Sequence, residues 1–200
     1  MDTDWQTRAR ILQDLVVMTW GLNLLNWTVL GRALDWLGIR PRTWIGLLGI
    51  GFAPLIHSTV SHLFGNTLAF IVFGWILLLR GIPVFWLVTF TTLLTSGFGV
   101  WLLGRGRYSV ASPLYVIDSV HMGASGVIFG YLGFLLLNSF FDSHPLALMS
   151  SLIVGTFYWN LLPGLLPQQQ VSWEGHLFGF LGGALLAYGL PAFAPWLAAP

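Results

Sequence analysis

Six windows of near-membrane length hold no Asp, Glu, Lys or Arg, and no other feature of the chain constrains its fold as much. They run from about Leu15 to Gly31, Ser61 to Leu79, Ile82 to Leu103, Met122 to Phe141, Pro145 to Leu162, and Gly175 to about Leu197. A bilayer core takes about 20 mostly apolar residues per helix. Six such spans leave no room in 200 residues for a separate soluble domain. The sequence therefore predicts an all-α membrane protein with six transmembrane helices, a single integral membrane domain over residues 1–200.

Composition narrows the function classes. Only 8% of residues are charged, against roughly 25% in an ordinary soluble domain. All eight basic residues are Arg and the net charge is +1, so there is no basic footprint for a nucleic acid; the partner implied is the lipid bilayer. The absence of Cys excludes disulfides, thiolate metal sites and a cysteine nucleophile. Eleven Trp and fifteen Phe suit a surface that meets both acyl chains and headgroups.

Between the windows the punctuation is regular. Arg80, Gly81 and Pro83 form a tight turn, Gly104 to Val120 is a longer polar connection, Asp142, Ser143 and Pro145 separate spans four and five, and Pro163, Gly164, Pro167 and three Gln separate five and six. A seventh apolar stretch, Trp44 to Ile56, is too short to span and is interrupted by Gly46, Gly49, Gly51 and Pro54. It is expected to be a loop structure embedded in the outer part of the bilayer between helices one and two. The segment before Leu15 is acidic before it is basic and makes a poor signal peptide, so the first helix is expected to be retained. An N-terminus in the cytoplasm puts Arg8, Arg10 and Arg80 inside but Arg32, Arg40, Arg42, Arg105 and Arg107 outside; charge alone favours the opposite orientation.

Polar side chains inside spans are costly and point to function. His62 and Asn66 lie in the first two turns of span two, Ser125 at the start of span four and His176 in the first turn of span six. Spans two, four and six run in the same direction, so their N-terminal ends share one side of the membrane. Gly126 and Gly130 on span four, and Gly175, Gly179 and Gly183 on span six, have the four-residue spacing that lets helix backbones approach closely. Packing along those ridges brings the Ser125 hydroxyl toward the His176 imidazole.

A serine hydroxyl needs a base to take its proton, and a histidine is the usual one. Small neighbours in Gly123-Ala124-Ser125-Gly126 leave the hydroxyl approachable, and a helix N-terminus offers unpaired NH groups to an oxyanion. His62 and Asn66, at i and i+4, are candidate side-chain donors. No carboxylate is placed to orient His176, since Glu174 points elsewhere and Asp118 lies in a loop; the expectation is a Ser-His dyad.

Each residue also has a plainer reading. Gly and Ser are common packing residues in membrane helices, and His176 or Asn66 alone could be an interhelical hydrogen-bonding group. His57 is expected to have a structural or loop-ordering role, His121 and His144 to be solvated loop histidines, and Asn23 and Asn26 to be packing or interface residues. Phe129, one turn after Ser125, is a core aromatic or a wall for the histidine. Depth, parity and close-packing glycines together favour the catalytic reading.

These residues resemble the rhomboid family of intramembrane serine proteases. The matching pieces are GASG at 123–126, HSTVSHLFGN at 57–66 and GHLFGFLGG at 175–183, on helices four, two and six. The resemblance implies that Ser125 is the nucleophile and His176 the general base, and that His62, Asn66 and the Ser125 backbone NH bind the oxyanion. It implies transmembrane protein substrates, no cofactor and no metal, a membrane-embedded first loop at Trp44 to Ile56, helix five beside the substrate entrance, and cytoplasmic termini in a bacterial-type plasma membrane. Two departures stand out: the chain reads Trp44-Ile45 where many members have Trp-Arg, and Phe129 stands where a Tyr often stacks on the catalytic histidine. A catalytically inactive relative that binds transmembrane clients is the alternative, and a haem or metal protein using several of the five histidines is a third reading.

Overall fold

The computed structural model describes residues 4–109, 116–168 and 171–197. The middle of the Gly104–Val120 connection, two of the three Gln and both extreme termini lie outside the described residues. Among the described residues seven α-helices carry the fold: α1 (Asp4–Thr28), α2 (Trp44–Phe52), α3 (Val60–Arg80), α4 (Ile82–Leu103), α5 (Ser125–Leu137), α6 (Pro145–Phe157) and α7 (Trp173–Leu197). A short antiparallel ribbon, β1 (Arg107–Ser109) with β2 (Val116–Asp118), interrupts the helical pattern after α4.

Local chemistry sets the helix ends. The Thr59 side chain accepts from His62 N at 3.1 Å and starts α3, and Gly81 at φ 128° ends it, a conformation that costs glycine little. Pro83 then sits in the first turn of α4, where its missing NH is harmless. The Thr43 hydroxyl caps α2 by accepting from Gly46 N at 3.0 Å. His144 caps α6 through Nδ1, which accepts from Leu146 N at 3.2 Å.

The windows read from sequence correspond to helices with shifted ends. Ile82–Leu103 coincides with α4. The first helix begins eleven residues before Leu15, because an Asp4–Arg8 pair at i,i+4 supports a charged helical extension of the apolar window. The Trp44–Ile56 stretch, expected as a loop structure, is built from a short helix: α2 runs into a 3-10 turn at Ala53–Leu55. The fourth window shrinks to thirteen α-helical residues followed by a 3-10 turn at Asn138–Phe140, about 20 Å of α-helix. Among the described residues α3 and α4 are long and apolar enough to cross a membrane; α6 reaches that length only together with the 3-10 segment Trp159–Leu165, from which it is bent by 76°.

Helix α5 is the axis of the molecule, with every residue from Val127 to Leu135 buried. It packs against α7 and α4 through glycine. A methyl group on Gly179 would overlap the Gly126 carbonyl oxygen, and one on Gly183 the Gly130 carbonyl oxygen. On the α4 side, Thr92 and Ser96 press against Gly130 and Gly126. Large apolar side chains face outward, among them Trp44, Phe64, Phe90, Phe98, Leu152 and Phe157, as a lipid solvent requires.

Candidate active site

The first loop is tied to α1 by two buried asparagines. Asn23 Nδ2 donates to Leu55 O at 2.7 Å and its Oδ1 accepts from His57 N at 2.7 Å. Asn26 bonds Asp35 Oδ1 and Leu34 N. These side chains, expected to be packing or interface residues, supply the hydrogen bonds that hold the approach to α3.

That approach delivers His57 to the start of α5. Its ring lies outside α3, is 1% exposed, and has Nε2 3.0 Å from Asn66 Nδ2 and 3.4 Å from Ala124 N. Both neighbours are donors, so Nε2 accepts and Nδ1 carries the proton. Burial, followed by the charge of nearby His62, lowers the His57 pKa to about 4; the ring is neutral at ordinary pH and remains an acceptor. His57 thus orients Asn66, a more specific task than ordering a loop. The His62 ring meets His57 edge-on at 5.1 Å.

Gly123, at φ +114°, lets the chain turn directly beneath these groups. A side chain there would strike His62 Nε2 and Cε1, so only glycine brings Ser125 this close to α3. The Gly123 NH donates to Ala53 O at 2.8 Å, locking the turn to the first loop.

Across the α5–α7 seam, Ser125 Oγ stands 2.9 Å from His176 Nε2. The other nitrogen, Nδ1, lies 2.9 Å from the Gly164 carbonyl. A carbonyl oxygen only accepts, so Nδ1 carries the proton and Nε2 turns its lone pair to the serine hydroxyl. Phe129 stacks on the imidazole with centroids 4.0 Å apart and planes within 7°. Glu174 is engaged elsewhere, at 2.9 Å from Arg105 Nε, and the tautomer is set by a backbone carbonyl instead of a carboxylate.

A cleft of about 880 Å³ holds His62, Asn66, Ser125, Phe129 and His176 together with Arg105, His121 and Ser172. The site residues read from sequence therefore converge: Ser125 with His176 and Phe129 on one side, His62 and Asn66 across Gly123 on the other, with Gly126, Gly179 and Gly183 forming the seam beneath. Among the described residues no group of three or more His, Asp or Glu is arranged to hold a metal ion.

The Rhomboid domain family model matches residues 43–193. The chain belongs to the rhomboid family. Uncharacterized proteins of Mycobacterium bovis and Mycobacterium tuberculosis are each 35% identical to this rhomboid over 192 residues, covering 94% of it and 77% of their own length. One from Mycobacterium leprae is 35% identical over 165 residues, covering 80% of this rhomboid and 63% of itself. Family and apolar helices together make it an integral membrane protein.

Sequence reasoning missed three parts of the site. His121 is buried and bonded on both ring nitrogens, not a solvated loop histidine. His57 reaches Ala124 across the fold. The Gly164 carbonyl has no residue-type signature; the Pro163-Gly164 turn marked only a connection. His144 is exposed and caps a helix.

Proposed function

We propose that this rhomboid is an intramembrane serine endopeptidase that cleaves transmembrane or juxtamembrane segments of membrane proteins through a Ser125–His176 dyad. The observation that carries the reading is the relay Ser125 Oγ to His176 Nε2, with His176 Nδ1 on the Gly164 carbonyl, each contact at 2.9 Å. It is the arrangement a hydroxyl needs to become a nucleophile.

As the Ser125 oxygen bonds to the scissile carbonyl carbon, its proton passes to His176 Nε2 and the carbonyl electrons move onto oxygen. That oxyanion is received by the Ser125 backbone NH at the start of α5, with His62 and Asn66 as side-chain donors. Collapse breaks the C–N bond, and His176 returns its proton to the departing amine. Water then attacks the acyl-enzyme with the same histidine as base, releasing the acid and restoring the serine. The cationic intermediate of His176 is steadied by the Gly164 carbonyl dipole and the Phe129 ring face. No metal or organic cofactor enters these steps.

The same reading assigns six spans to α1, α3, α4, α5, α6 with its 3-10 continuation, and α7, with cytoplasmic termini, one rhomboid domain over the chain, and a bacterial plasma membrane. Substrate helices enter near α3 and α6 and unwind before cleavage, because a hydrogen-bonded helix does not offer its carbonyls. The test is incubation of purified protein in liposomes with a single-span substrate and, separately, a fluorophosphonate probe. Wild type cleaves and is labelled; Ser125→Ala and His176→Ala do neither, and Asn66→Ala loses about a hundred- to a thousandfold in rate. A wild type that binds transmembrane helices yet is neither labelled nor active replaces the proposal with a client-binding role.

A further inference from the structure

We infer that His121 is a positioning residue for the dyad, a ring that joins the segment leading into Ser125 to the first residue ahead of the helix carrying His176. The inference rests on the proteolytic reading above. His121 precedes Ser125 by four residues. Its main chain is fixed to the first loop, His121 N to Ile39 O at 2.9 Å and Ile39 N to His121 O at 2.8 Å. Its ring reaches the other side of the site. Nε2 lies 3.1 Å from the Arg105 carbonyl, which only accepts, so the proton sits on Nε2 and is shared with Ser119 Oγ at 3.0 Å.

Nδ1 is therefore the acceptor, and the Ser172 hydroxyl, 2.6 Å away, donates to it. Ser172 directly precedes α7, and its carbonyl accepts from His176 N at 3.2 Å. One imidazole thus sets the distance between the two chain segments that present nucleophile and base. Arg105 braces the same end, with Nε on Glu174 and Nη2 on the Gln168 and Val171 carbonyls at 2.9 and 2.7 Å. Burial lowers the His121 pKa, which keeps the ring neutral and its donor and acceptor in this order. His121 touches neither Ser125 nor the substrate carbonyl in the proposed mechanism; it acts through Ser172 and the first turn of α7.

The expected signature is a loss in kcat with KM nearly unchanged, since a small misplacement of a catalytic group costs on the order of tenfold to a hundredfold. In liposomes, His121→Ala and Ser172→Ala should each lower kcat by at least about tenfold and slow fluorophosphonate labelling in parallel. The double variant should be no slower than the worse single one, because both remove the same bond. His121→Asn, whose side-chain oxygen falls near the place of Nδ1, should recover most of the rate, whereas His121→Gln should not. Thermal unfolding of each variant separates positioning from folding. Wild-type rates in folded His121→Ala, additive losses in the double variant, or equal rates for the Asn and Gln variants overturn the inference while leaving the protease reading intact. A wild type that is never labelled overturns both.

Discussion

Ser125 and His176, the pair proposed as a dyad, and the groups that contact the site around them are held by different kinds of structure. Ser125 and His176 ride on the α5–α7 seam, where backbone meets backbone through Gly126, Gly130, Gly179 and Gly183 and α5 is buried along its length. The groups that orient the site around them come from connecting segments and from the flank: Gly164, from the bent continuation of α6, bonds His176, and His57, from the segment ahead of α3, bonds Asn66. Helix α6 buries only Ala147, Ser150, Ser151 and Val154, and turns Leu148, Met149, Leu152 and Phe157 outward. The contrast suggests a division of labour, with a rigid pair of helices setting the distance between the proposed nucleophile and base, and a more lightly packed rim setting the protonation and orientation of the side chains around them.

The largest effect should come from breaking the seam. In Gly183→Ala the new methyl group meets the Gly130 carbonyl and Phe134 N, main-chain atoms that cannot swing aside, so the helices must separate at a cost of about 3 kcal/mol or more. Thermal unfolding in lipid should show a large drop and activity should vanish. Gly155→Ala on α6 is the matched control. Its methyl group meets only the tip of Leu136 at 3.4 Å, and stability should change by less than about 1 kcal/mol. Equal losses at the two positions would erase the distinction between seam and rim.

Lowering the pH attacks the rim through His57. Its folded-state pKa lies near 4, below the unfolded value of about 6.5, so the unfolded chain takes up a proton that the folded one refuses. The resulting stabilisation is fully present above pH 6.5 and is lost as the pH falls toward 4, roughly 3 kcal/mol in all. Protonated Nε2 can no longer accept from Asn66, so this proposed oxyanion donor loosens over the same window. His57→Gln does not titrate, and its stability should fall less steeply than wild type between pH 6.5 and 4. Parallel curves would remove His57 from the account.

Gly164→Ala tests the carbonyl that fixes the tautomer. A methyl group there lies 2.6 Å from Phe129 Cζ and 3.4 Å from His176 Nδ1, so the 3-10 segment must back away and take its carbonyl with it. Rate should fall about ten- to a hundredfold with unfolding little changed, since the segment buries little. A large stability loss instead would place Gly164 with the seam.

How much of this could be read from the sequence follows the same division. The approach of Ser125 to His176 was legible because helix parity and glycine spacing are periodic signals, and α4 kept its bounds because Gly81, Pro83 and Gly104 punctuate both ends. The extension of α1 was hidden, since Asp4, Arg8, Arg10 and Asp14 end an apolar window without ending a helix. The rim was the illegible part. His121 finds Ser172 51 residues away and His57 finds Ala124 67 residues away, through loops with no period to extrapolate. Gly164 acts through its main chain, which every residue type possesses. The β1–β2 ribbon pairs three residues a side, too few for an alternation to show.

The smallest expected effect belongs to Phe129, which bridges the two regions: its backbone lies in buried α5, while its ring meets both His176 at 4.0 Å and the site of the missing Gly164 side chain. The ring face, nearly parallel to the imidazole, restricts its rotation and would favour the cationic form in the proposed turnover. Phe129→Tyr keeps that face and should hold activity within about twofold, whereas Phe129→Leu keeps bulk without it and should cost up to about tenfold in kcat. If Leu performs as well as Tyr, the ring serves only to fill space between seam and rim, and the orientation of His176 falls to the Gly164 carbonyl alone. Combining Phe129→Leu with Gly164→Ala then decides between the two: relief of the clash would leave the pair faster than Gly164→Ala by itself, while loss of two independent restraints would make it slower than either.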